Sequence, residues 1–451
     1  MKQGLLAAAC LLSLHCAQGL AQQAPANATD EERSALKSKS DSGKLAPELR
    51  LPAEDMRWWQ DAKFGIFIHW GLYAIPAKGE WHMHNDKVDP QEYSRLANQF
   101  KPKHFNADSW AQLAKDAGAQ YMVMTARHHD GFAMFASKTS YRNYDSGHSA
   151  AHKDFIADYV AAVRRRGMRV GIYYSPMDWR FPGYFDPKGL PDNAALMKKQ
   201  GYGQVRELMS NYGKIDILWY DGGWLAHRGS DADAAWFWQP EILNAQVRKL
   251  QPKVVINPRS GWQGDFDTEE GGQPVTGPIR KKPWEKTFSI GPAWGYVPGD
   301  AMQPGQVIRL VVDAVVRNGN ALVNIGPDAD GRIPDNQART LQGIGAWMRA
   351  NGESIYNTRP GPFQPVDGVY GSTMRGKNVY VHVLSWPGES LKLPPLPGKV
   401  VSAATLAGAP VRFSQSGSGI VVSMEASRRD AVDTVIKLET DAEPGMVAGA
   451  D

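Results

Sequence analysis

Along the chain, short apolar runs stop abruptly at polar or ring-bearing side chains, and stretches with helical spacing lie between them. The sharpest case is Ile215-Asp216-Ile217-Leu218-Trp219-Tyr220-Asp221-Gly222-Gly223-Trp224, where a run suited to a buried parallel strand meets an acid, two glycines and an indole. Phe64 to Ile68 ends at His69, Tyr121 to Arg127 ends in His128 and His129, and Val170 to Ser175 carries Tyr173. Val254 to Asn257 has Arg259 just beyond it, and Ala321 to Pro327 forms a later run. Helices are predicted at Ser109 to Ala117, Phe155 to Arg166, Tyr202 to Tyr212, Gln306 to Asn318 and Asp335 to Asn351. Six or seven strands alternating with helices predict a (β/α)8-like barrel, with Trp284 to Tyr296 ambiguous.

After Ile355 the period changes. Thr358-Arg359-Pro360-Gly361-Pro362 marks a boundary, and alternating segments such as Asn378 to Leu384 and Gly419 to Met424 predict a C-terminal antiparallel β-sandwich. The expected division is a barrel unit over 49–356, a β-sandwich over 357–441 and a flexible tail over 442–451. At the other end, Lys2, the apolar run from Leu5 to Leu14 and Gly19-Leu20-Ala21 read as a signal peptide over 1–21. A flexible leader over 22–48, poor in large apolar groups, follows it. Both cysteines, Cys10 and Cys16, lie in the signal, so a chain cut after Ala21 has neither a disulfide nor a thiolate ligand. His15 and Ser13 are unusual neighbours for lipid attachment at Cys16. No later run has the length of a bilayer span, and the expectation is a secreted protein of the bacterial periplasm.

Charge excludes one class of partner. The net charge is only +4 with 22% charged residues, and the most basic run, Arg164-Arg165-Arg166, reads as a solvated helix end, so no field points to nucleic acid. The aromatics point elsewhere: fifteen Trp, about 3% of the chain, suit either a packed core or a surface that covers the apolar face of a sugar.

The strand ends converge on one rim with His69, His128, His129, Tyr173 and Asp221. Imidazoles beside a carboxylate raise a divalent-metal hydrolase, but adjacent His128 and His129 on extended backbone would face opposite ways. The His82-x-His84 pair is the other imidazole set, in a loop without an evident carboxylate bridge. Glycoside hydrolysis suits the same groups and needs two carboxyls across the anomeric centre. Asp221 supplies one; the second falls in Gly264-Asp265-Phe266-Asp267-Thr268-Glu269-Glu270-Gly271, which reads equally as a solvated acidic loop.

Five stretches carry a resemblance: Phe64-Gly65-Ile66-Phe67-Ile68-His69-Trp70-Gly71, His128-His129-Asp130-Gly131-Phe132, Ile172-Tyr173-Tyr174-Ser175, Leu218-Trp219-Tyr220-Asp221 and Asn324-Ile325-Gly326-Pro327. In order and spacing they resemble the α-L-fucosidases of glycoside hydrolase family 29, from about Trp58 to Ile355 and more weakly through the β-rich tail. The resemblance implies a barrel followed by a β-sandwich, no cofactor, and a retaining hydrolysis with Asp221 as nucleophile and Glu270 as general acid/base. Asp265-Phe266-Asp267-Thr268-Glu269-Glu270 fits an Asp-Phe-x-Thr-x-Glu pattern ending on Glu270, with Glu269 one residue away. It further implies that His69, Glu80, Trp81, His128, His129 and Tyr173 hold sugar hydroxyls, that Arg259 lies near the carboxylates, and that Trp219 and Trp294 lie near the sugar's ring and methyl group. Pro258 departs from the pattern, standing where relatives often have an acid. The implied partner is a fucosylated oligosaccharide or glycoconjugate. Loops such as Trp179 to Pro191 and Gly229 to Trp238 would meet the aglycone. A catalytically inactive fucose-binding protein on the same scaffold is the alternative from another class.

Overall fold

The computed structural model describes residues 46–445. The signal peptide over 1–21 with Cys10 and Cys16, most of the leader over 22–48 and the end of the tail lie outside the described residues. Ala46 and Leu49, at the leader's end, are buried in the main core.

Eight parallel strands form one sheet: β1 (Phe64–Ile68), β2 (Tyr121–Arg127), β3 (Arg169–Tyr174), β4 (Ile217–Tyr220), β5 (Val255–Ile256), β6 (Asp267–Glu270), β7 (Trp284–Ser289) and β8 (Gly319–Ile325). Their order, β5-β4-β3-β2-β1-β8-β7-β6, is that of a barrel opened between β5 and β6. Asp265 closes that seam in place of a ladder. Its N–H donates to the Ile256 carbonyl at 2.8 Å, and its carboxylate accepts from the Ile256 N–H at 2.8 Å, the Leu51 N–H at 2.9 Å and Arg248 Nη2 at 2.7 Å.

The helices are α1 (Ala53–Ala62), α2 (Ala107–Asp116), α3 (Phe155–Arg165), α4 (Pro191–Asn211), α5 (Pro240–Leu250), α6 (Pro304–Val315) and α7 (Asp335–Asn351). Asn106 and Asp154 cap α2 and α3 by accepting the Ser109 and Ala157 N–H groups, and proline opens α4, α5 and α6 where its missing N–H costs nothing. Apolar faces of α2–α7 and the outer faces of β1–β4 form the main core. A second cluster fills the barrel interior: Phe67, Tyr121, Val123, Tyr173, Ile217, Trp219, Val255, Phe266 and Leu322. Met56, Trp59 and Ala62 of α1 plug its lower end.

Two elements correct the sequence reading. The acidic stretch around Glu270 is a strand, β6, and the ambiguous region begins with another, β7, so the strands number eight. Adjacent charged residues, Glu269 with Glu270 and Glu285 with Lys286, interrupt any apolar alternation there, and no helix separates β5, β6 and β7, so neither period was visible. α4 also begins eleven residues before Tyr202, and α1 and α5 were not anticipated.

Beyond α7, a sheet ordered Val400–Thr405, Thr434–Thr440, Asn378–Val383, Tyr370–Arg375, Arg359–Pro360 faces one ordered Ser390–Leu393, Gly419–Ser423, Arg412–Ser416, with antiparallel pairing throughout. These strands are β9 (Arg359–Pro360), β10 (Tyr370–Arg375), β11 (Asn378–Val383), β12 (Ser390–Leu393), β13 (Val400–Thr405), β14 (Arg412–Ser416), β15 (Gly419–Ser423) and β16 (Thr434–Thr440). Between the sheets lies a separate core that includes Val379, Val381, Leu391, Ile420, Ile436 and Leu438. The expected barrel followed by a β-sandwich is the observed architecture.

Candidate active site

The carboxyl ends of the barrel strands deliver the polar groups to one place. Asp221 follows β4, and Gly222 turns the chain away with φ 71°; a Cβ there would stand 2.7 Å from Met177 and 2.9 Å from the His129 ring. Asp221 accepts three hydrogen bonds. The Gly222 N–H and Arg259 Nη2 donate to Oδ1 at 2.8 and 2.9 Å, and Tyr173 Oη donates to Oδ2 at 2.8 Å. Burial and the Asp221 charge hold the Tyr173 phenol well above its ordinary pKa, so it remains a donor.

Glu270, at the end of β6, accepts from Arg259 Nη1. One guanidinium, its side chain 5% exposed, thus grips both carboxyl groups, with Asp221 16% and Glu270 10% exposed. Burial pushes the Glu270 carboxyl up, the Asp221 charge adds to this and Arg259 opposes it.

Strand parity separates Glu270 from its neighbour. Glu269 pairs in register with Lys286 and Glu270 with Thr287, so the two acids face opposite sides of β6. Glu269 binds Lys286 Nζ at 2.7 Å and also Arg280, and despite partial burial those cations hold it below the ordinary carboxylate range.

Three imidazoles line the opposite side. His69 Nδ1 lies 2.8 Å from Asn324 Oδ1. The Asn324 amide nitrogen donates to Ser289 Oγ and the Trp294 carbonyl, which fixes its oxygen toward His69 and makes Nδ1 the donor and Nε2 the free acceptor. Burial lowers the His69 pKa to about 4 and holds His128 and His129 well below the ordinary imidazole value, so all three stay neutral. His129 Nδ1 meets Ser175 Oγ at 2.7 Å, while its Nε2 stands 3.6 Å from Asp221 Oδ2. His128 Nδ1 is buried without a hydrogen-bond partner among the described residues.

The expectation that His128 and His129 diverge fails. β2 ends at Arg127, the chain turns, and the two rings lie 4.0 Å apart. With Asp221 they bring three donor atoms within 4.8 Å of one another, the spacing of a metal site. The same carboxylate is already taken by Arg259, whose positive charge opposes a cation at that point. His82 and His84 part company, His82 pairing with Asp86 and His84 stacking on Trp179.

Trp81 sits 5.3 Å from the His129 ring, and buried Glu80 accepts the Gly295 N–H at 2.7 Å, tying the Trp294 loop to the site. The Trp294 ring, half-buried, lies 5.1 Å from His69. Trp219 differs: 2% exposed, it stacks on Tyr173 from inside the barrel and donates Nε1–H to Glu285 at 3.0 Å, forming floor rather than wall. All eleven residues singled out in the sequence therefore belong to one connected constellation. Sequence reasoning passed over Ser175 and Asn324, both inside quoted motifs, and over Glu285 and Asp231, which no motif marks.

Comparison with known proteins agrees in family. A family model described as alpha-L-fucosidase matches residues 35–353. The tissue alpha-L-fucosidase of Bos taurus is 31% identical over 368 residues, 75% of each chain. The structure of alpha-L-fucosidase isoenzyme 1 from Paenibacillus thiaminolyticus is 34% identical with a TM-score of 0.75, covering 86% of this chain and 99% of that one. A family 29 alpha-L-fucosidase from Bacteroides thetaiotaomicron, solved as a trapped covalent intermediate with 2-fluoro-fucosyl fluoride, superposes with a TM-score of 0.79 at 28% identity. That match covers 89% of this chain and 99% of the other.

Proposed function

This chain belongs to the α-L-fucosidase family, and from that premise we propose that it removes terminal α-L-fucose from glycans as an exo-acting, retaining hydrolase with Asp221 as nucleophile and Glu270 as general acid/base. The observation that carries the reading is the pair of carboxyl groups on one guanidinium in unlike surroundings: Asp221 accepts hydrogen bonds from Gly222, Arg259 and Tyr173, whereas burial raises Glu270. A retaining pair stands about 5–5.5 Å apart, and a shared guanidinium suits that spacing. The trapped intermediate of the Bacteroides relative supports double displacement.

In the first step an Asp221 oxygen attacks the anomeric carbon, the bond to the aglycone oxygen breaks, and Glu270 gives that oxygen its proton. In the second step the Glu270 carboxylate takes a proton from water, the water oxygen bonds to the anomeric carbon and Asp221 leaves as a carboxylate. Neutral His69, His128 and His129 can donate and accept in fixed directions, as neutral hydroxyls require, and Glu80 adds an acceptor. Trp294 and Trp81 offer apolar wall to the ring and the C6 methyl. The signal-like segment over 1–21 supports export, to the periplasm in a bacterium, and no described helix is long and apolar enough to cross a membrane.

The test is hydrolysis of 4-nitrophenyl α-L-fucoside followed by proton NMR. Release of nitrophenol with α-fucose forming first is expected; β-fucose first would exclude double displacement, and fucose binding without release would point to a binding protein.

A further inference from the structure

Arg259 meets a carboxylate at each of its three nitrogens. Nη1 binds Glu270, Nη2 lies 2.9 Å from Asp221, and Nε lies 3.2 Å from Asp231 Oδ2 in a charge contact rather than an aligned hydrogen bond. Asp231 belongs to no barrel strand. It comes from the loop after β4, just before the single turn Ala232–Ala234, and its side chain is buried.

The loop reaches this position only because two neighbours lack side chains. A Cβ on Gly223 would stand 2.9 Å from both Asp231 Oδ1 and the Arg259 carbonyl, and one on Gly261 would stand 2.8 Å from the Asp231 carbonyl. The Trp224 ring packs 5.5 Å from the guanidinium carbon, so Arg259 is confined by an indole as well as by acids. A surface loop that brings a buried carboxylate to an arginine already serving two others adds net negative charge where burial makes charge costly. Packing alone does not require that arrangement.

We propose that Asp231 is a positioning residue for the reaction: from the third corner of the guanidinium it fixes the plane in which Arg259 presents its terminal nitrogens to Asp221 and Glu270. The proposal rests on the roles given to those two residues above. During the first step negative charge disappears from Asp221 as its ester forms and appears on Glu270 as its proton leaves. Arg259 contacts both ends of that transfer, and a partner that takes no part in the bond changes keeps it from following either one.

Acids gathered on one cation also feel one another's charge. Burial and the charges of Asp221 and Glu270 raise the Asp231 pKa to about 7 against the pull of Arg259. The charged and titratable groups facing this cluster are Arg259, Asp221 and Glu270, with Lys286 beside Glu270 and Tyr173 and His129 beside Arg259. Removing the Asp231 charge should therefore lower the pH at which Glu270 loses its catalytic proton.

The experiment compares Asp231→Asn and Asp231→Ala with wild type on 4-nitrophenyl α-L-fucoside across pH. Asp231→Ala is expected to lower kcat about 10- to 100-fold with a smaller change in KM. Asp231→Asn keeps shape and loses charge, so it should retain more activity while the basic limb of kcat/KM moves down by about 0.5–1 pH unit. A normal kcat in Asp231→Ala, or an unmoved basic limb in a folded Asp231→Asn, would overturn the proposal. Asp221→Gly is the control for the reading beneath it: if that variant stays active the catalytic assignment fails, whereas an inactive Asp221→Gly beside unchanged Asp231 variants defeats this inference alone.

Discussion

Strands β1, β2 and β4 and strands β6–β7 build two parts of the same rim by opposite means. In β1, β2 and β4 every residue is buried and the chemistry is appended after the last strand residue, as His69, His128 with His129, and Asp221. In β6 and β7 the chemistry is inside the ladder, with Thr268, Glu269 and Glu270 set in register against Glu285, Lys286 and Thr287. An apolar strand tolerates any polar group at its end because the loop there meets solvent or substrate. A charged strand in a buried barrel must pair each charge inward or outward, and its alternation then decides which acid faces the site.

The largest effect expected to test this contrast comes from the appended side. Asp221→Gly should lower kcat about a thousandfold or more while the fold is kept, since no ladder hydrogen bond depends on the side chain. With azide, a nucleophile-deficient enzyme should give the β-fucosyl azide. Near-normal turnover would remove Asp221 from the proposed mechanism.

On the ladder side, parity makes two adjacent glutamates unequal. Glu270→Ala should lose about 100- to 10,000-fold on substrates with poor leaving groups and recover with azide on activated ones, giving the α-fucosyl azide through the intact Asp221. Glu269→Gln should keep kcat within a few-fold and lose only some stability, because its carboxylate serves Lys286 and Arg280 and is 33% exposed. Azide rescue in Glu269→Gln but not in Glu270→Ala would reverse the assignment and the parity on which it stands.

The same contrast explains what could be read from the chain. Tyr121–Arg127 was legible to the residue because apolar periodicity, flanking turns and a change to polar residues all coincide. Asp335–Asn351 was legible for like reasons. β6 has no apolar alternation, so its acids resembled a solvated loop and spacing alone left Glu269 beside Glu270. The paired imidazoles were misjudged because extended backbone was carried past Arg127, where the strand ends. Asp231 was out of reach altogether: its approach to Arg259 depends on the path of a loop and on the missing side chains of Gly223 and Gly261, which only the folded chain displays.

The smallest effect on turnover concerns an acid whose burial has no catalytic purpose in the proposed mechanism. Glu285 points from β7 into the barrel, where it meets Tyr121 Oη at 2.5 Å and Trp219 Nε1 at 3.0 Å, and no cation pairs with it among the described residues. Burial raises its pKa from 4.5 to about 7, against the two hydrogen bonds. Below about pH 4.5 the carboxyl is protonated in folded and unfolded chains alike. As pH rises toward 7 the unfolded chain releases that proton and the folded one retains it, so this group's share of stability falls, by on the order of 3 kcal/mol in all. Glu285→Gln keeps the shape, offers Trp219 an acceptor and Tyr121 a donor, and cannot titrate. Urea unfolding of both proteins at about pH 5 and about pH 8 should show the wild type losing more stability than the variant as pH rises. Parallel pH dependences would mean that Glu285 is ionised in the folded barrel, and that the ladder half buries charge without a neutralising proton.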